Sequence, residues 1–344
     1  MMAAEDPVLG VTDIELRINI NGLIEAFTEA NQPMDELLVA AEMRLRSVGR
    51  RRDSEHSTVS HLMLEQEQQW QRQRQRQQQP SQPHVLCERS SLLALWKPAG
   101  WTVSVFEAFD DDSLQQQEPE EVFESVEGTE QPLQEWVVEQ LGAAYPICND
   151  SSLAYGLLHR LDKNTSGALL CAKTYEAYFH AKLQFAARRV LKHYVCLCHG
   201  LLPMSPRLLD VPLHTTRVHG GWRSVADPTG RKARTIVDVV VHLGLSGQLI
   251  SLVQVKLGTG RYHQIRGHLT HDGHPLVGDI HYGGFAHWCH RVFLHAHRLA
   301  IDAGDGILET RCPLPPELHD SLAQVAASDP RSRAIHQCWL LTKK

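Results

Sequence analysis

Two β-rich segments joined by a short turn place the tightest limit on the fold of this chain. Residues 233–243 and 248–257 are rich in Val, Ile and Leu, and Gly-Leu-Ser-Gly at 244–247 connects them. A short glycine-containing connection between two such segments predicts an antiparallel β-hairpin. Because the helical patterns stand apart from paired strands, we expect an α+β fold and not a doubly wound parallel sheet.

Local patterns predict further strands and helices around this hairpin. Strand-like apolar content marks three segments: 84–95, 167–172 and 190–198. Helices are predicted at three segments: 133–141, 174–187 and 262–272. Thr174 is a suitable N-cap for the second helix, and Phe179, Leu183 and Ala186 share one apolar face of it. Gly273 stands where the third helix would end.

Changes in composition divide the chain into three parts. Residues 1–82 carry two short helical patterns and end in a Gln/Arg-rich stretch too polar to pack, so we expect an extension with a linker. Residues 83–325 are the predicted folded domain, which an acidic, Gln-rich surface insertion interrupts at 107–131. Residues 326–344 form a C-terminal tail. A chain of 344 residues is long enough for one large domain with such additions.

Charge is distributed unevenly along the chain. Residues 151–344 carry 23 Lys and Arg against 13 Asp and Glu, a formal charge of +10. Residues 1–150 carry 11 against 27, a formal charge of -16. This asymmetry indicates a basic working part with an acidic appendage. A basic half favours a polyanionic partner, although charge alone does not name one.

Hydropathy and cysteine usage exclude several classes of protein. No stretch of about 18 apolar residues occurs, so no transmembrane helix is expected. The N-terminus MMAAEDPVLG has early acids and no apolar stretch, which argues against a secretory signal. The 8 cysteines are scattered and form neither a disulfide framework nor paired C-x-x-C motifs. We therefore expect a soluble intracellular protein, cytoplasmic or organellar and not secreted.

A nine-residue segment, HRLDKNTSG at 159–167, surrounds an acid with cations. Asp162 lies between Arg160 and Lys163, and a cation within about 4–6 Å of a carboxylate lowers its pKa. Small hydroxyl residues and Gly167 follow, as expected of a site loop that leads into a strand. A salt-bridged turn without function is the alternative for this pattern taken alone.

Two further segments place candidate residues on a helix and on a strand. In TGRYHQIRGH at 259–268, Arg266 follows His263 by three residues, so both project from nearby positions of the predicted helix. In the strand predicted before it, period-two alternation puts Tyr194 and Cys196 on one face. A buried core tyrosine is the alternative for Tyr194 taken alone.

The order of several motifs resembles one family of RNA-modifying enzymes. HRLDKNTSG, KHYVCLCHG, TGRYHQIRGHL, GHPLVGDIHYGG and FLHAHRL follow one another as in the RluA-type RNA pseudouridine synthases. WKPAGWTV and PLPPEL are similar to an early turn and a late helix entry of that family, so the resemblance covers residues 84–325. It implies the pseudouridine synthase fold: a curved mixed or antiparallel sheet flanked by helices, with a central basic cleft.

The resemblance also implies an activity. Enzymes of this family isomerise specific uridines in RNA (rRNA, tRNA or organellar RNA) to pseudouridine, and they extrude the base from its stack to do so. The reaction replaces a C–N glycosidic bond with a C–C bond and depends on an aspartate. Whether that aspartate attacks C1′ or acts as a base stays open. No cofactor is expected.

Ten residues receive roles from this resemblance. The predicted catalytic residues are Asp162, the essential aspartate, Tyr194, which packs on the uracil, and Arg266, the partner of the aspartate. The resemblance also suggests Tyr194 as a base in the final removal of a proton. The predicted substrate-binding residues are Lys97, His159, Arg160, Leu161, Arg261, His263 and Ile265. Among them, Arg160 matches the arginine that enters the RNA stack where the target uridine leaves it. Leu161 and Ile265 would form apolar walls near the base.

Two positions beside these residues depart from the family pattern. Tyr262 stands where Thr or Ser is usual, and Gly267 stands where Val is usual. A glycine inside a helix destabilises it by about 1 kcal/mol relative to alanine. We therefore expect either a looser helix at Gly267 or a close approach of RNA to it.

Two other classes of function compete with this interpretation. The histidine-rich stretch near Cys289 contains four potential zinc ligands: His287, His290, His295 and His297. A metal-dependent hydrolase would also need a glutamate within a metal-binding helix, which is missing, so we expect no metal. The other rival is a non-catalytic RNA-binding or assembly factor, against which the intact Asp162, Tyr194 and Arg266 argue. We expect RNA as the partner, no membrane association and a monomer.

Overall fold

A mixed β-sheet organises the structure, a computed structural model that describes residues 82–103, 131–218 and 221–341. Fourteen strands lie in these residues: β1 (His84–Glu88), β2 (Leu92–Lys97), β3 (Trp101–Thr102), β4 (Gln131–Pro132), β5 (Ser166–Ala172), β6 (Leu191–His199), β7 (Arg207–Leu209), β8 (Leu213–Val218), β9 (Gly221–Ala226), β10 (Thr235–Leu245), β11 (Gln248–Leu257), β12 (Leu294–Asp302), β13 (Ile307–Arg311) and β14 (Ala326–Ala327). The N-terminal extension up to residue 81 and the insertion from 107 to 130 lie outside the described residues.

Ten of these strands form one sheet. Their order is β1-β2-β5-β12-β6-β11-β10-β14, with β13 beside β12 and β7 beside β10. β5 and β12 run parallel, whereas the other neighbours in this sheet are antiparallel. The predicted hairpin is β10–β11, and its turn residues Ser246 and Gly247 have positive φ angles of 48° and 83°. The prediction of an α+β fold with a mixed sheet is confirmed.

The described residues contain five α-helices: α1 (Leu133–Leu141), α2 (Tyr175–Ala186), α3 (Gln264–His271), α4 (Pro316–Gln324) and α5 (Pro330–Leu341). α1 spans the predicted residues. Thr174 caps α2 as predicted, since its Oγ1 accepts a hydrogen bond from the Ala177 amide at 3.2 Å. Short 3₁₀ helices at Pro146–Asn149 and Ser151–Gly156 connect α1 to the loop before β5.

The face that α2 buries differs from the predicted one. Phe179 and Leu183 are 46% and 67% exposed, whereas Ala177 and Ala181 are buried. Two alanines at i and i+4 allow the helix backbone to approach the sheet closely, which bulkier residues would prevent. Gln184 is buried on the same side because its amide group donates to the Asp302 carbonyl at 2.7 Å. The i, i+4, i+7 pattern therefore indicated the helix but not its orientation.

α3 begins two residues later than predicted and packs tightly against β9. His263 precedes it with a positive φ of 46°, and Gly273 follows it with a positive φ of 85°, as expected of a terminating glycine. A Cβ atom on Gly267 would lie 2.8 Å from the Ser224 carbonyl oxygen. The close approach predicted at Gly267 is therefore made by β9 of this chain, and the expectation that RNA makes it was wrong.

Alternate residues of β6 divide between two hydrophobic cores. Tyr194, Cys196 and Cys198 belong to the first core, whereas Val195 and Leu197 belong to the second. The prediction that Tyr194 and Cys196 share one face is confirmed, because successive strand residues point to opposite faces of the sheet.

The segment after residue 325 packs on the second core. β14 pairs with β10, and Trp339 of α5 lies against the second core. Nε2 of His336 lies 3.0 Å from the Leu322 carbonyl oxygen, which ties α5 to α4. The residues predicted as a C-terminal tail therefore include a strand and a helix.

Candidate active site

The carboxylate of Asp162 is the centre of the candidate active site, in the loop that leads into β5. Its side chain is 18% exposed. Oδ2 accepts a hydrogen bond from Nη1 of Arg266 at 3.3 Å and lies 3.8 Å from Nε2 of His263. The structure thus brings together residues that lie 104 positions apart in the sequence.

Positive charges keep Asp162 ionised. Burial opposes its ionisation, but His263 when protonated, Arg266 and Arg160 together outweigh burial and hold the pKa of Asp162 below its usual value. Burial lowers the pKa of His263 to about 3, although Asp162 opposes this shift. His263 is therefore neutral near pH 7, and the two arginines are the cations that act on Asp162 there.

A second carboxylate, which the sequence analysis missed, fixes Arg266. Nε and Nη2 of Arg266 donate to Oδ2 and Oδ1 of Asp279 at 2.7 and 2.9 Å, a bidentate geometry that fixes the guanidinium plane. Asp279 is 2% exposed. Burial lowers the pKa of Arg266, but the bonds to Asp279 outweigh this effect and raise the pKa above its usual value. Arg266 therefore stays charged, and its remaining Nη1 is directed at Asp162.

Tyr282 packs against the same arginine and connects the site to β9. Cζ of Arg266 and Cζ of Arg223 lie 4.8 and 4.6 Å from the centroid of its ring. Its hydroxyl accepts a hydrogen bond from the Ser224 amide at 2.7 Å and lies 3.2 Å from Nδ1 of His263. Burial raises the pKa of Tyr282, so the hydroxyl stays protonated. Tyr282 thus supports both basic residues that face Asp162.

Tyr194 reaches the site from β6. It is 5% exposed and lies in the same hydrophobic core as Leu161 and Ile265, which are each 4% exposed. Burial and then the negative charge of Asp162 raise the pKa of Tyr194, so its hydroxyl is neutral. Tyr194 therefore lies close enough to Asp162 to feel its charge, within a core that also contains Leu161 and Ile265.

Lys97 is a buried lysine that binds backbone carbonyl groups close to Asp162. It is 0% exposed, and Nζ donates to the carbonyl oxygens of Pro98, Lys163 and Thr165 at 3.0, 3.1 and 2.9 Å. An ammonium group has only three donors. Lys97 thus holds the backbone on the C-terminal side of Asp162, and binding of substrate by Lys97 stays a prediction.

Replacement of Lys97 by methionine is expected to destabilise the protein by about 3–5 kcal/mol. The substitution keeps the apolar stem but removes the Nζ donor from the buried carbonyl groups of Pro98 and Thr165, each at a cost of about 1–3 kcal/mol. The Lys163 carbonyl keeps its hydrogen bond from the Gly100 amide. Urea unfolding of the purified protein measures this change. Lys256→Met, at an exposed position of β11, is the matched control and should have little effect. Equal stability of the two variants would contradict the role given to Lys97.

Arg291 holds the same loop from another side. Its Nη1 donates to the Asn164 carbonyl, and its Nη2 donates to Oγ of Ser166, both at 2.8 Å. Nη2 also forms an ion pair with Glu317 of α4 at 3.0 Å. Gly167 then allows β5 to approach β12, since a Cβ atom there would lie 2.3 Å from the Ala296 carbonyl oxygen. Lys97 and Arg291 together thus hold the four residues that follow Asp162.

His159 serves the structure of the loop. Its Nε2 accepts a hydrogen bond from the Leu170 amide of β5 at 3.1 Å. Burial lowers the pKa of His159 to about 3, so the ring is neutral near pH 7. A role in binding substrate stays a prediction for this residue.

Two arginines that were predicted to bind substrate, Arg261 and Arg160, contact other residues of this chain. Nε of Arg261 donates to the Lys232 carbonyl at 3.0 Å. Cζ of Arg160 lies 5.3 Å from the centroid of the Tyr262 ring. Binding of substrate by either arginine stays a prediction.

The ring nitrogens of two histidines in the histidine-rich stretch, His295 and His297, contact polar atoms of the protein. Nδ1 of His295 lies 3.0 Å from Oγ of Ser166, and its Nε2 lies 3.3 Å from the Cys312 carbonyl oxygen. Nε2 of His297 lies 3.1 Å from the amide nitrogen of Gln254. Within the described ranges, no group of three or more His, Cys, Asp or Glu residues could hold a metal ion. The same ranges contain no helix long and apolar enough to cross a membrane.

A family of known proteins shares the part of the chain that carries this site. The sequence model described as RNA pseudouridylate synthase matches residues 91–271, which include Asp162, Tyr194 and Arg266. The chain belongs to the RNA pseudouridylate synthase family, as the motifs predicted.

Curated relatives match over part of their length. An "Uncharacterized RNA pseudouridine synthase" of Helicobacter pylori is 34% identical over 148 residues, which cover 43% of this chain and 59% of the relative. "Ribosomal large subunit pseudouridine synthase D" of Nitrosomonas europaea is 41% identical over 128 residues, which cover 37% of this chain and 36% of the relative. The chain thus spans between about a third and three fifths of these relatives.

Two solved human structures have the same fold. "RNA Pseudouridylate Synthase Domain Containing 1" gives a TM-score of 0.52 at 23% identity, covering 78% of this chain and 99% of that one. "RNA Pseudouridylate Synthase Domain Containing 4" gives a TM-score of 0.50 at 19% identity, covering 71% and 94%.

Proposed function

We propose that this protein is an RNA pseudouridine synthase that isomerises specific uridines in RNA. The observation that carries the proposal is the geometry around Asp162. An ionised carboxylate faces Arg266, whose position a buried bidentate bond to Asp279 fixes. Tyr194 lies within reach of the charge of Asp162, in a hydrophobic core that also contains Leu161 and Ile265. Membership of the RNA pseudouridylate synthase family supports the same activity.

The reaction needs the groups that this site contains. The N1–C1′ bond of uridine breaks, the base turns, a C5–C1′ bond forms, the proton on C5 leaves, and N1 takes up a proton. Asp162 either attacks C1′ or acts as a base on the ribose, and Arg266 stabilises its negative charge in the ground state. Pre-arranged charges of this kind need no reorganisation during the reaction.

Aromatic and apolar residues would bind the detached base. Tyr194, Leu161 and Ile265 would contact the uracil ring, and stacking on an aromatic side chain contributes about 1–3 kcal/mol per base. Because the hydroxyl of Tyr194 stays protonated, the residue acts first as a neutral surface. Arg160 would fill the place in the RNA stack that the uridine leaves, which offsets part of the unstacking cost of a few kcal/mol.

RNA is the proposed partner, and rRNA is the first substrate class to test. The formal charge of +10 on residues 151–344 suits a polyanion. One relative is named for the large ribosomal subunit, whereas tRNA or organellar RNA are alternatives. We propose residues 83–325 as the catalytic domain and residues 1–82 as an extension. An intracellular monomer is the corresponding proposal for location and assembly.

Mapping of pseudouridine across all RNAs tests this proposal. Cells of the source organism with and without the protein are compared, and the wild-type gene is then restored. We expect a small set of uridines to lose the modification and to regain it on restoration. An unchanged map, together with retained RNA binding, would instead support the non-catalytic assembly factor.

A further inference from the structure

We propose that Tyr262 is a positioning residue, which fixes Arg160 relative to Asp162. The side chains of Arg160, Tyr262 and His263 form a row in space, in which each contacts the next. The rings of Tyr262 and His263 stack with centroids 3.8 Å apart at an interplanar angle of 22°. The guanidinium carbon of Arg160 lies 5.3 Å from the centroid of Tyr262. A cation within about 6 Å of an aromatic ring is attracted to it.

Two parallel contacts connect two segments of the chain. Arg160 and Asp162 belong to the loop before β5, whereas Tyr262 and His263 precede α3. Arg160 contacts Tyr262, and Asp162 lies 3.8 Å from His263. Because Arg160 and Asp162 are two residues apart and Tyr262 and His263 are adjacent, the paired contacts set the position of Arg160 relative to the carboxylate.

The ring of Tyr262 is itself held in place. Tyr262 is 5% exposed, and its carbonyl oxygen accepts a hydrogen bond from Oγ of Ser224 at 2.5 Å. Ser224 is 1% exposed. On the other side of the stack, the hydroxyl of Tyr282 lies 3.2 Å from Nδ1 of His263. Tyr262 therefore presents a fixed ring to Arg160, which Thr or Ser at this position would not supply.

The consequence for catalysis rests on the proposed function. If Arg160 fills the gap left by an extruded uridine, an arginine that is already ordered loses less conformational entropy when RNA binds. This advantage applies when the uridine leaves a stacked helix. It is smaller when the uridine lies in an unstacked single strand, where no gap forms. Tyr262 should therefore matter most for structured RNA.

A spectroscopic measurement tests the geometry without reference to activity. In Tyr262→Leu, the apolar volume is largely kept and the π face is lost, whereas Tyr262→Phe keeps the ring. NMR resonances of the Arg160 side chain and the His263 ring should shift in the leucine variant and stay near wild type in the phenylalanine variant. Tyr175→Leu, at an exposed position of α2, should leave these resonances unchanged. Unshifted Arg160 resonances in the leucine variant would overturn the proposal.

Steady-state kinetics then test whether Tyr262 matters most for structured RNA. Two RNAs carry the same mapped uridine, one in a hairpin and one in a single strand. Tyr262→Leu should raise KM about tenfold on the hairpin and about twofold on the single strand. Tyr262→Phe should restore the hairpin KM. Arg160→Ala combined with Tyr262→Leu should be no worse than Arg160→Ala alone, because the two residues act together.

Several results would count against the positioning role. Equal losses on both RNAs, or no rescue by phenylalanine, would mean that Tyr262 only stabilises the fold. If Tyr262→Leu does not fold, Tyr262→Thr takes its place, with the same resonances and the same two RNAs. Should the wild-type protein convert neither RNA, the proposed function fails, and the resonances of Arg160 still decide the positioning proposal.

Discussion

The variant Asp162→Asn is expected to retain less than about 1% of wild-type isomerase activity, since a catalytic proton-transfer group alone contributes about 10²–10⁴-fold. Asparagine is neutral, so it can neither attack C1′ nor remove a proton from the ribose. Its amide oxygen still accepts a hydrogen bond from Arg266, which Asp279 holds in place. RNA binding should therefore be largely retained. Release of tritium from RNA labelled at C5 of uridine measures the reaction, and filter binding measures affinity.

The control for this variant makes the same chemical change elsewhere. Asp238 is exposed on β10, so Asp238→Asn removes one negative charge without touching the site. It should keep activity and affinity near wild type. Activity of Asp162→Asn above about 1%, with this control intact, would contradict the assignment of Asp162, because less than the smallest contribution of such a group would have been lost.

Local elements could be predicted from the sequence because their signals are local. The hairpin β10–β11 follows from two β-rich runs and a turn that needs positive φ angles at Ser246 and Gly247. The helix α1 follows from its apolar spacing and has the predicted bounds. The orientation of α2 could not be derived in this way, because small residues such as Ala181 set how close a helix packs against the sheet.

The site could be predicted only where a motif carried it. Asp162 and Arg266 were paired through the family resemblance, and the structure places Nη1 and Oδ2 at 3.3 Å. Asp279 was missed because its contact with Arg266 depends on the path of the chain between α3 and β12. The single acid of the motif GHPLVGDIHYGG was the available signal. The role of Lys97 depends on carbonyl groups up to 68 positions away, which no local pattern indicates.

Buried neutral histidines are expected to make the folded protein sensitive to mild acid. Among the residues that the structure describes, four histidines have the most strongly lowered pKa values and are neutral near pH 7: His159, His263, His295 and His297. Burial lowers the pKa of the first three to about 3 and that of His297 to about 4. Hydrogen bonds such as that from the Leu170 amide to Nε2 of His159 require the neutral ring. Protonation of these rings is therefore coupled to unfolding.

The sign of the effect follows from proton counts. A histidine in the unfolded chain has a pKa of about 6.5, so the unfolded state binds more protons than the folded state between about pH 4 and 6.5. Stability therefore falls as the pH drops through this window. Each such histidine lowers the free energy of unfolding by about 2 kcal/mol at pH 5, so four lower it by up to about 8 kcal/mol. This is comparable to the whole stability of a typical domain, about 5–15 kcal/mol.

Urea unfolding at several pH values between 5 and 8 measures this loss, and the expected result is a free energy that is nearly constant above pH 7 and falls steeply below pH 6.5. Carboxylates do not produce a fall there, because their ordinary pKa values lie near 4. The variant His297→Gln keeps a polar side chain beside Gln254 and should reduce the slope by about one proton. His180→Gln, at an exposed position of α2, should leave the slope unchanged. A flat profile between pH 5 and 7 would show that these histidines are protonated without unfolding, which their hydrogen bonds in the structure oppose.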